Sequence, residues 1–237
     1  MSAPASLQAN PRRPLERAIH NVVRLPGRTY ASMLRLFDPS YSLERQARSV
    51  RKWFTRDQLA RLERIPGMCS HRECRLLAYL IGQAPLGGAI VEIGAWKGRV
   101  TAWLVEAAER RADRPRIFSI DPHGHGSWDD FCKTVEEFEL EKRGVQIHRV
   151  SSRALGPTWS RPISFLWIDG AHDYESVSQD LAEFTPHVAV GGWIAMDDSA
   201  GGAFPGVERA IEEWLLVATN YVRVATVRNV SVFRRAS

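Results

Sequence analysis

Apolar positions recur at helical spacing through the first third of the chain and then fall into short blocks separated by polar turns. Between Leu15 and Leu36 the stripe is Leu15, Ile19, Val22, Val23, Met33 and Leu34, and Pro26-Gly27 divides it into two predicted helices. A further helix is predicted over Ser42–Arg64, with Trp53, Phe54 and Leu59 as its apolar face, and another over Ser70–Gln83 on Leu76, Leu77, Leu80 and Ile81. Residues 1–14, with three prolines, read as a tail.

At Pro85-Leu86-Gly87-Gly88 the period changes. Strands are predicted at Ala89–Ile93, Arg116–Ile120, Val145–Val150, Ile163–Ile168 and Gly192–Met196. Helices alternate with them at Arg99–Arg110, Trp128–Lys142, Tyr174–Phe184 and Val207–Ala218. Tyr221–Thr226 and Val230–Arg234 close the chain as a hairpin turning at Arg228-Asn229. Such alternation means a mostly parallel, doubly wound sheet with one antiparallel terminal strand. Two domains are therefore expected: a helical extension over residues 1–84 and an α/β domain over residues 85–237.

Charge sharpens that division. Residues 1–84 hold 15 Lys+Arg against 6 Asp+Glu, a net +9, whereas residues 85–237 are net −4. The basicity of the whole chain is therefore poor evidence for a nucleic-acid enzyme. With 44% hydrophobic and 25% charged residues in 237, fibrous and disordered classes are excluded. No apolar run approaches the roughly 18 residues of a transmembrane helix. Three cysteines (Cys69, Cys74, Cys132) make no disulfide framework and lack the second ligand pair of a zinc knuckle. A reducing, cytoplasmic setting is the default expectation.

Ligands on a doubly wound sheet bind beyond the carboxyl ends of its strands. Three such ends carry candidate chemistry. Gly94 and Gly98, in Glu92-Ile93-Gly94-Ala95-Trp96-Lys97-Gly98, mark a strand-to-helix turn where a ligand can approach the backbone. Trp96 occupies the middle glycine position of a dinucleotide fingerprint, which disfavours a dinucleotide. Asp121 ends the second strand, where an acid accepts ribose hydroxyls. Asp169 ends the fourth strand and Asp197-Asp198 the fifth. Three clustered carboxylates repel one another unless a cation lies among them, and an all-oxygen set suits Mg²⁺ or Mn²⁺. His172, on the loop after Asp169, is placed as a general base, and Asp173 as the cap of the next helix.

The segments V-E-I-G-A-W-K-G (91–98), S-I-D-P-H (119–123), W-I-D-G-A-H-D-Y-E-S-V-S-Q-D-L (167–181) and G-G-W-I-A-M-D-D (191–198) resemble those of class I S-adenosylmethionine-dependent methyltransferases. They are most similar in kind to the metal-dependent O-methyltransferases of small molecules, related to the macrolide-sugar and cephalosporin-cluster enzymes. The resemblance covers about two-thirds of the chain. It implies a Rossmann-like seven-stranded sheet and an S-adenosylmethionine site. There Glu92, Gly94, Ala95 and Gly98 line the methionine and ribose end, Asp121 holds the ribose, and Ser152 or Arg153 lies near adenine. It implies Asp169, Asp197 and Asp198 as ligands of Mg²⁺ or Mn²⁺ and His172 as the base. Relatives often carry Asn or Glu at one position of the final pair, so the resemblance specifies a carboxylate-rich ligand set.

These residues together predict methyl transfer to a hydroxyl of a small-molecule acceptor such as a sugar, a natural product or a phenol, with Trp96, Trp128 and Trp159 as candidate stacking platforms. RNA methylation on the basic extension is the first rival. It is disfavoured because Asp169-Gly170-Ala171-His172 stands where base methylators carry an Asn/Asp-Pro-Pro-aromatic motif. A scaffold that lost its chemistry, or a metal-dependent hydrolase, would leave the acidic cluster or the glycine turn without purpose. The extension is expected to serve as a lid or as a homo-oligomer interface.

Overall fold

The computed structural model describes residues 38–217 and 220–237. The two helices expected between Leu15 and Leu36 lie outside the described residues. From Pro39 onward the chain forms one compact unit.

The first described helix, α1 (Pro39–Arg48), passes into a 3-10 turn at Ser49–Trp53, and α2 covers Arg56–Arg64. A single helix was expected here. Thr55 interrupts it: its backbone is extended, and its hydroxyl and the Gln58 side chain cap each other's amides, starting a new helix. Ser70 and Glu73 repeat the device at the head of α3 (His71–Gln83). At the other end of α3 the Arg111 guanidinium binds the carbonyls of Ile81, Ala84 and Pro85, satisfying orphan acceptors where a cation is favoured.

The α/β part follows as β1 (Ala89–Ile93), α4 (Arg99–Ala108), β2 (Ile117–Ile120), α5 (Trp128–Glu137), β3 (Val145–His148), a short helix α6 (Ser152–Leu155), β4 (Ile163–Ile168), α7 (Tyr174–Phe184), β5 (Val188–Met196), α8 (Pro205–Ile211), β6 (Tyr221–Val227) and β7 (Val230–Arg235). The sheet order is β3-β2-β1-β4-β5-β7-β6, with β7 antiparallel to both neighbours. This is the expected Rossmann-like architecture. Its chain order reverses between β1 and β4, the switch point where such sheets bind ligands. Several expected spans shift: α5 ends at Glu137 rather than Lys142, β3 ends at His148 rather than Val150, β5 begins four residues before Gly192, and the helix expected over Val207–Ala218 is Pro205–Ile211 followed by a π-helical turn at Glu212–Leu216.

Alternation along the strands builds two cores. Ile90, Phe165, Trp167 and Ala195 face α1–α4, where they meet Val50, Leu62, Leu76, Leu77, Leu80 and Trp103. Val91, Ile93, Leu166, Ile168 and Ile194 face α7 and α8, meeting Leu181, Phe184, Val207 and Ile211. Helices α1–α3, which the sequence places in the 1–84 extension, thus supply one covering layer of the sheet. Among the described residues no helix is long and apolar enough to cross a membrane.

Candidate functional site

Strand register assembles the site. Ile93 pairs with Ile120 and with Ile168, and Ile168 pairs with Met196, so four strand ends stand level. The next residue of each is Gly94, Asp121, Asp169 and Asp197. Their amides continue the ladder: Gly94 to the Ile120 carbonyl, Asp169 to that of Ile93 and Asp197 to that of Ile168. Residues scattered over a hundred positions in sequence become neighbours because parallel pairing leaves no other register for the buried strands.

The turn after β1 needs its first glycine. Gly94 has φ 91°, and a Cβ there would fall 1.9 Å from the Asp169 carbonyl oxygen. The turn is latched to β2 by Asp121, whose Oδ2 accepts from the amides of Ala95 (2.9 Å) and Trp96 (2.7 Å) and whose Oδ1 accepts from His123 (2.6 Å). Asp121 therefore shapes the turn as well as facing the cavity above it.

That cavity, about 770 Å³, opens over the strand ends. Such a volume lies within the roughly 300–1,000 Å³ typical of small-molecule and cofactor sites. Gly94, Ala95, Asp121, Ser152, Arg153, Asp169, His172, Asp197 and Asp198 all line it. Glu92 and Gly98 do not, which corrects two of the expectations. The alternation of β1 turns Glu92 to the face covered by α4, where it is fully buried. Its Oε2 accepts from Thr101 (2.7 Å) and Ser119 (2.6 Å), and Oε1 has no partner. Burial pushes its carboxyl up to about 7. Gly98, at φ 85°, starts α4 and packs against Thr134 and Phe131. Of the three tryptophans, Trp96 lines the cavity, Trp159 is core against Phe118 and Phe184, and Trp128 stacks on Phe131 and meets His123 edge-on.

Of the acidic residues at the ends of β4 and β5, Asp169 and Asp198 converge, joined by His172 rather than Asp197. Asp169, His172 and Asp198 bring one ligand atom each within 4.8 Å of one another, the one converging group of metal-ligand type among the described residues. Asp197 is not in that set, and its Oδ1 accepts from the backbone amide of Asp198 (2.9 Å). His172 Nε2 lies 3.1 Å from Asp198 Oδ2, and the Phe204 ring packs against the imidazole at 4.3 Å. Burial, then the charges of Asp197 and Asp198, hold the Asp169 carboxyl well above the ordinary range. Burial lifts Asp197 to about 6. A cavity that crowds carboxylates at this cost has the donor set of a hard divalent cation. Asp173 caps α7 through the Ser176 amide, as expected.

Several wall residues were given no site role by the sequence. Glu73 reaches the cavity from α3 and binds Arg228 of the β6–β7 turn (3.2 Å), and the neighbouring Asn229 points its amide at Asp198 (3.5 Å). The loop from Ile65 to Cys69 forms another wall. Arg99 holds it by donating to the carbonyls of Ile65 (2.7 Å) and Cys69 (2.8 Å). Cys69 and Cys74 are buried free thiols, 3.9 Å apart, and belong to no metal group. Asp180, on α7, is the remaining buried acid of the wall.

Residues 91–199 match the family model described as a methyltransferase domain. No curated protein matches the chain. Among solved structures the chain is similar to the O-methyltransferase NovP (TM-score 0.56, 18% identity, covering 69% of this chain and 79% of that one). It is similar as well to CalS11, a TDP-rhamnose 3′-O-methyltransferase of calicheamicin biosynthesis (TM-score 0.54, 17% identity, 96% of each chain). An rRNA methylase from Streptococcus thermophilus also aligns (TM-score 0.50, 10% identity, covering 67% and 92%). At these identities the likeness is one of fold.

Proposed function

We propose that the protein, whose residues 91–199 match the model of a methyltransferase domain, uses S-adenosylmethionine to methylate a hydroxyl oxygen of a small molecule with the help of a divalent cation. The observation that carries the reading is the convergence of Asp169, His172 and Asp198 beside the Gly94–Asp121 turn in one cavity.

S-adenosylmethionine supplies an electrophilic sulfonium methyl, and a cation such as Mg²⁺ supplies positive charge that favours the ionised acceptor. The chain's own residues do the rest. The open backbone at Gly94 and the Asp121 carboxylate would hold the donor. Asp169 and Asp198 would hold the cation, while Asp197 adds charge and fixes the Asp198 backbone. His172 accepts the acceptor's proton at Nε2, and the Asp198 carboxylate 3.1 Å away stabilises the imidazolium that results. Phe204 keeps the imidazole in place and, with the Ile65–Cys69 loop, excludes water from one side. In-line transfer then depends on positioning, which is where most of the rate is gained.

The test is calorimetric titration of S-adenosylmethionine with Mg²⁺ and with chelator, followed by methylation assays on vicinal diols, sugars and phenols, with an RNA control. Micromolar binding and chelator-sensitive transfer abolished by Asp169→Ala are expected. Absence of binding in both conditions overturns the methyltransferase reading; transfer to RNA alone overturns the acceptor class.

A further inference from the structure

The turn between β6 and β7 is built against its own local chemistry. Val227 pairs with Val230, so Arg228 and Asn229 alone make the turn. A two-residue hairpin turn asks for glycine or asparagine where φ is positive. Here Arg228 carries φ 58°, and Asn229 does not take the left-handed conformation. A long side chain in that region is strained, and such strain persists only where the surrounding structure holds it. That hold is present. Arg228 Nε donates to Glu73 Oε1 (3.2 Å), and the other Glu73 oxygen accepts from the Ser70 amide at the head of α3 (2.7 Å). The Asn229 carbonyl accepts from the Ser199 amide (3.0 Å) and shares the Ser199 hydroxyl (2.8 Å) with the Met196 carbonyl (2.9 Å). The same hydroxyl oxygen accepts from the Ser231 amide (2.7 Å). Ser199 directly follows Asp198, so these bonds fasten the turn to the end of β5, beside the acidic group.

Asp198 is itself left-handed, at φ 49°. Its amide is held by Asp197 Oδ1 (2.9 Å), and its two carboxylate oxygens face different groups. Oδ2 lies 3.1 Å from His172 Nε2, and Oδ1 lies 3.5 Å from the Asn229 Nδ2, at the long limit of a hydrogen bond. We infer that Asn229 is a positioning residue, held by the Glu73–Arg228 and Ser199 contacts so that its amide donates to Asp198 Oδ1 and leaves Oδ2 directed at the cation and His172. The inference rests on the proposed divalent cation. The usual reason for asparagine in such a turn, its tolerance of positive φ, is not used here, since Arg228 takes that conformation. What position 229 supplies is the side-chain amide, and Asn229 lines the cavity with it. Groups that hydrogen-bond to a metal ligand fix its orientation, and their loss typically lowers metal affinity about 10- to 100-fold.

The experiment compares the wild type with Asn229→Ala in three readouts. Mn²⁺ binding is followed by the electron paramagnetic resonance of the free ion, S-adenosylhomocysteine binding by calorimetry without metal, and the melting temperature without either. The variant is expected to bind Mn²⁺ at least about tenfold more weakly, with S-adenosylhomocysteine affinity within about twofold and the melting temperature within about 2 °C of wild type. Asn229→Leu, which keeps the bulk and removes the amide, is read in the same way and separates the hydrogen bond from packing. Wild-type Mn²⁺ affinity in either variant overturns the role of Asn229 and leaves the cation reading intact. A weaker Mn²⁺ affinity matched by an equal loss of S-adenosylhomocysteine affinity, or by a lowered melting temperature in both variants, makes the turn a structural element only and overturns it as well. A wild type that binds no Mn²⁺ overturns the cation reading and this inference together.

Discussion

Glu92 sits beneath the site with no solvent and with one oxygen unpartnered, and its burial has a measurable consequence. In the folded protein its carboxyl rises from 4.5 to about 7. Between those two values the folded state holds a proton that the unfolded state has released, so this group's contribution to stability is complete below pH 4.5 and is lost as pH rises to 7. At about 1.4 kcal/mol per pH unit, two and a half units amount to about 3 kcal/mol. Because Thr101 and Ser119 both donate to Oε2, replacing the carboxylate by an amide keeps an acceptor for them and removes the titration. Glu92→Gln is therefore expected to gain about 2.5 kcal/mol relative to the wild type between pH 5 and pH 8, since pH 5 already lies above the unfolded value. Urea unfolding of both proteins from pH 5 to 8 gives the difference directly, free of the other titrating groups they share. The equivalent change in melting-temperature difference is about 5–10 °C for a chain of this size. A wild-type-minus-variant difference that stays constant within about 0.5 kcal/mol across that range would refute the argument, since it would mean that Glu92 titrates alike in both states.

Other perturbations probe the site itself. Gly94→Ala sets a Cβ 1.9 Å from the Asp169 carbonyl at φ 91°, and should cost at least about 2 kcal/mol and abolish S-adenosylhomocysteine binding; a melting temperature within about 2 °C of wild type with binding intact contradicts the close approach. Arg99→Ala frees the carbonyls of Ile65 and Cys69, so limited proteolysis should cut between residues 65 and 69 faster, with stability lower by about 1–3 kcal/mol; an unchanged cleavage rate would show that the loop holds without it. Mg²⁺ should raise the melting temperature of the wild type and leave that of Asp169→Asn unmoved, because only the former keeps the charge set; an equal shift in both places the ion elsewhere.

Much of the framework was legible because it rests on local rules. Period-two and helical spacing located all seven strands and most helices, and the residues that follow each strand were readable as candidate chemistry. Gly94, Asp121, Asp169 and Asp198 do meet in one cavity, since a parallel sheet brings strand ends together whatever their separation in sequence. What spacing could not supply was direction. Glu92 lies inside β1 and turns its side chain to the α4 core, whereas Gly94 stands past the strand end and opens its backbone to the cavity, and which face of β1 is covered by α4 depends on the helices that pack on the sheet.

The same limit explains the rest. The break at Thr55 hangs on a reciprocal cap between two side chains, which competes on nearly equal terms with continuing the helix. The exchange of Asp197 for His172 in the converging group depends on how two adjacent carboxylates turn at the end of β5. Glu73 and Asn229 reach the cavity from α3 and the β6–β7 turn, elements that carry no site motif of their own, and Arg99 and Asp180 reach it from α4 and α7, where the motifs gave them no role. The sequence by itself determined the strands, the doubly wound character of the sheet and the residue types at its strand ends, because short apolar runs alternating with amphipathic helices pack as a covered parallel sheet. Only the tertiary structure decided which side chains face the ligand, because that is settled by packing between elements far apart along the chain.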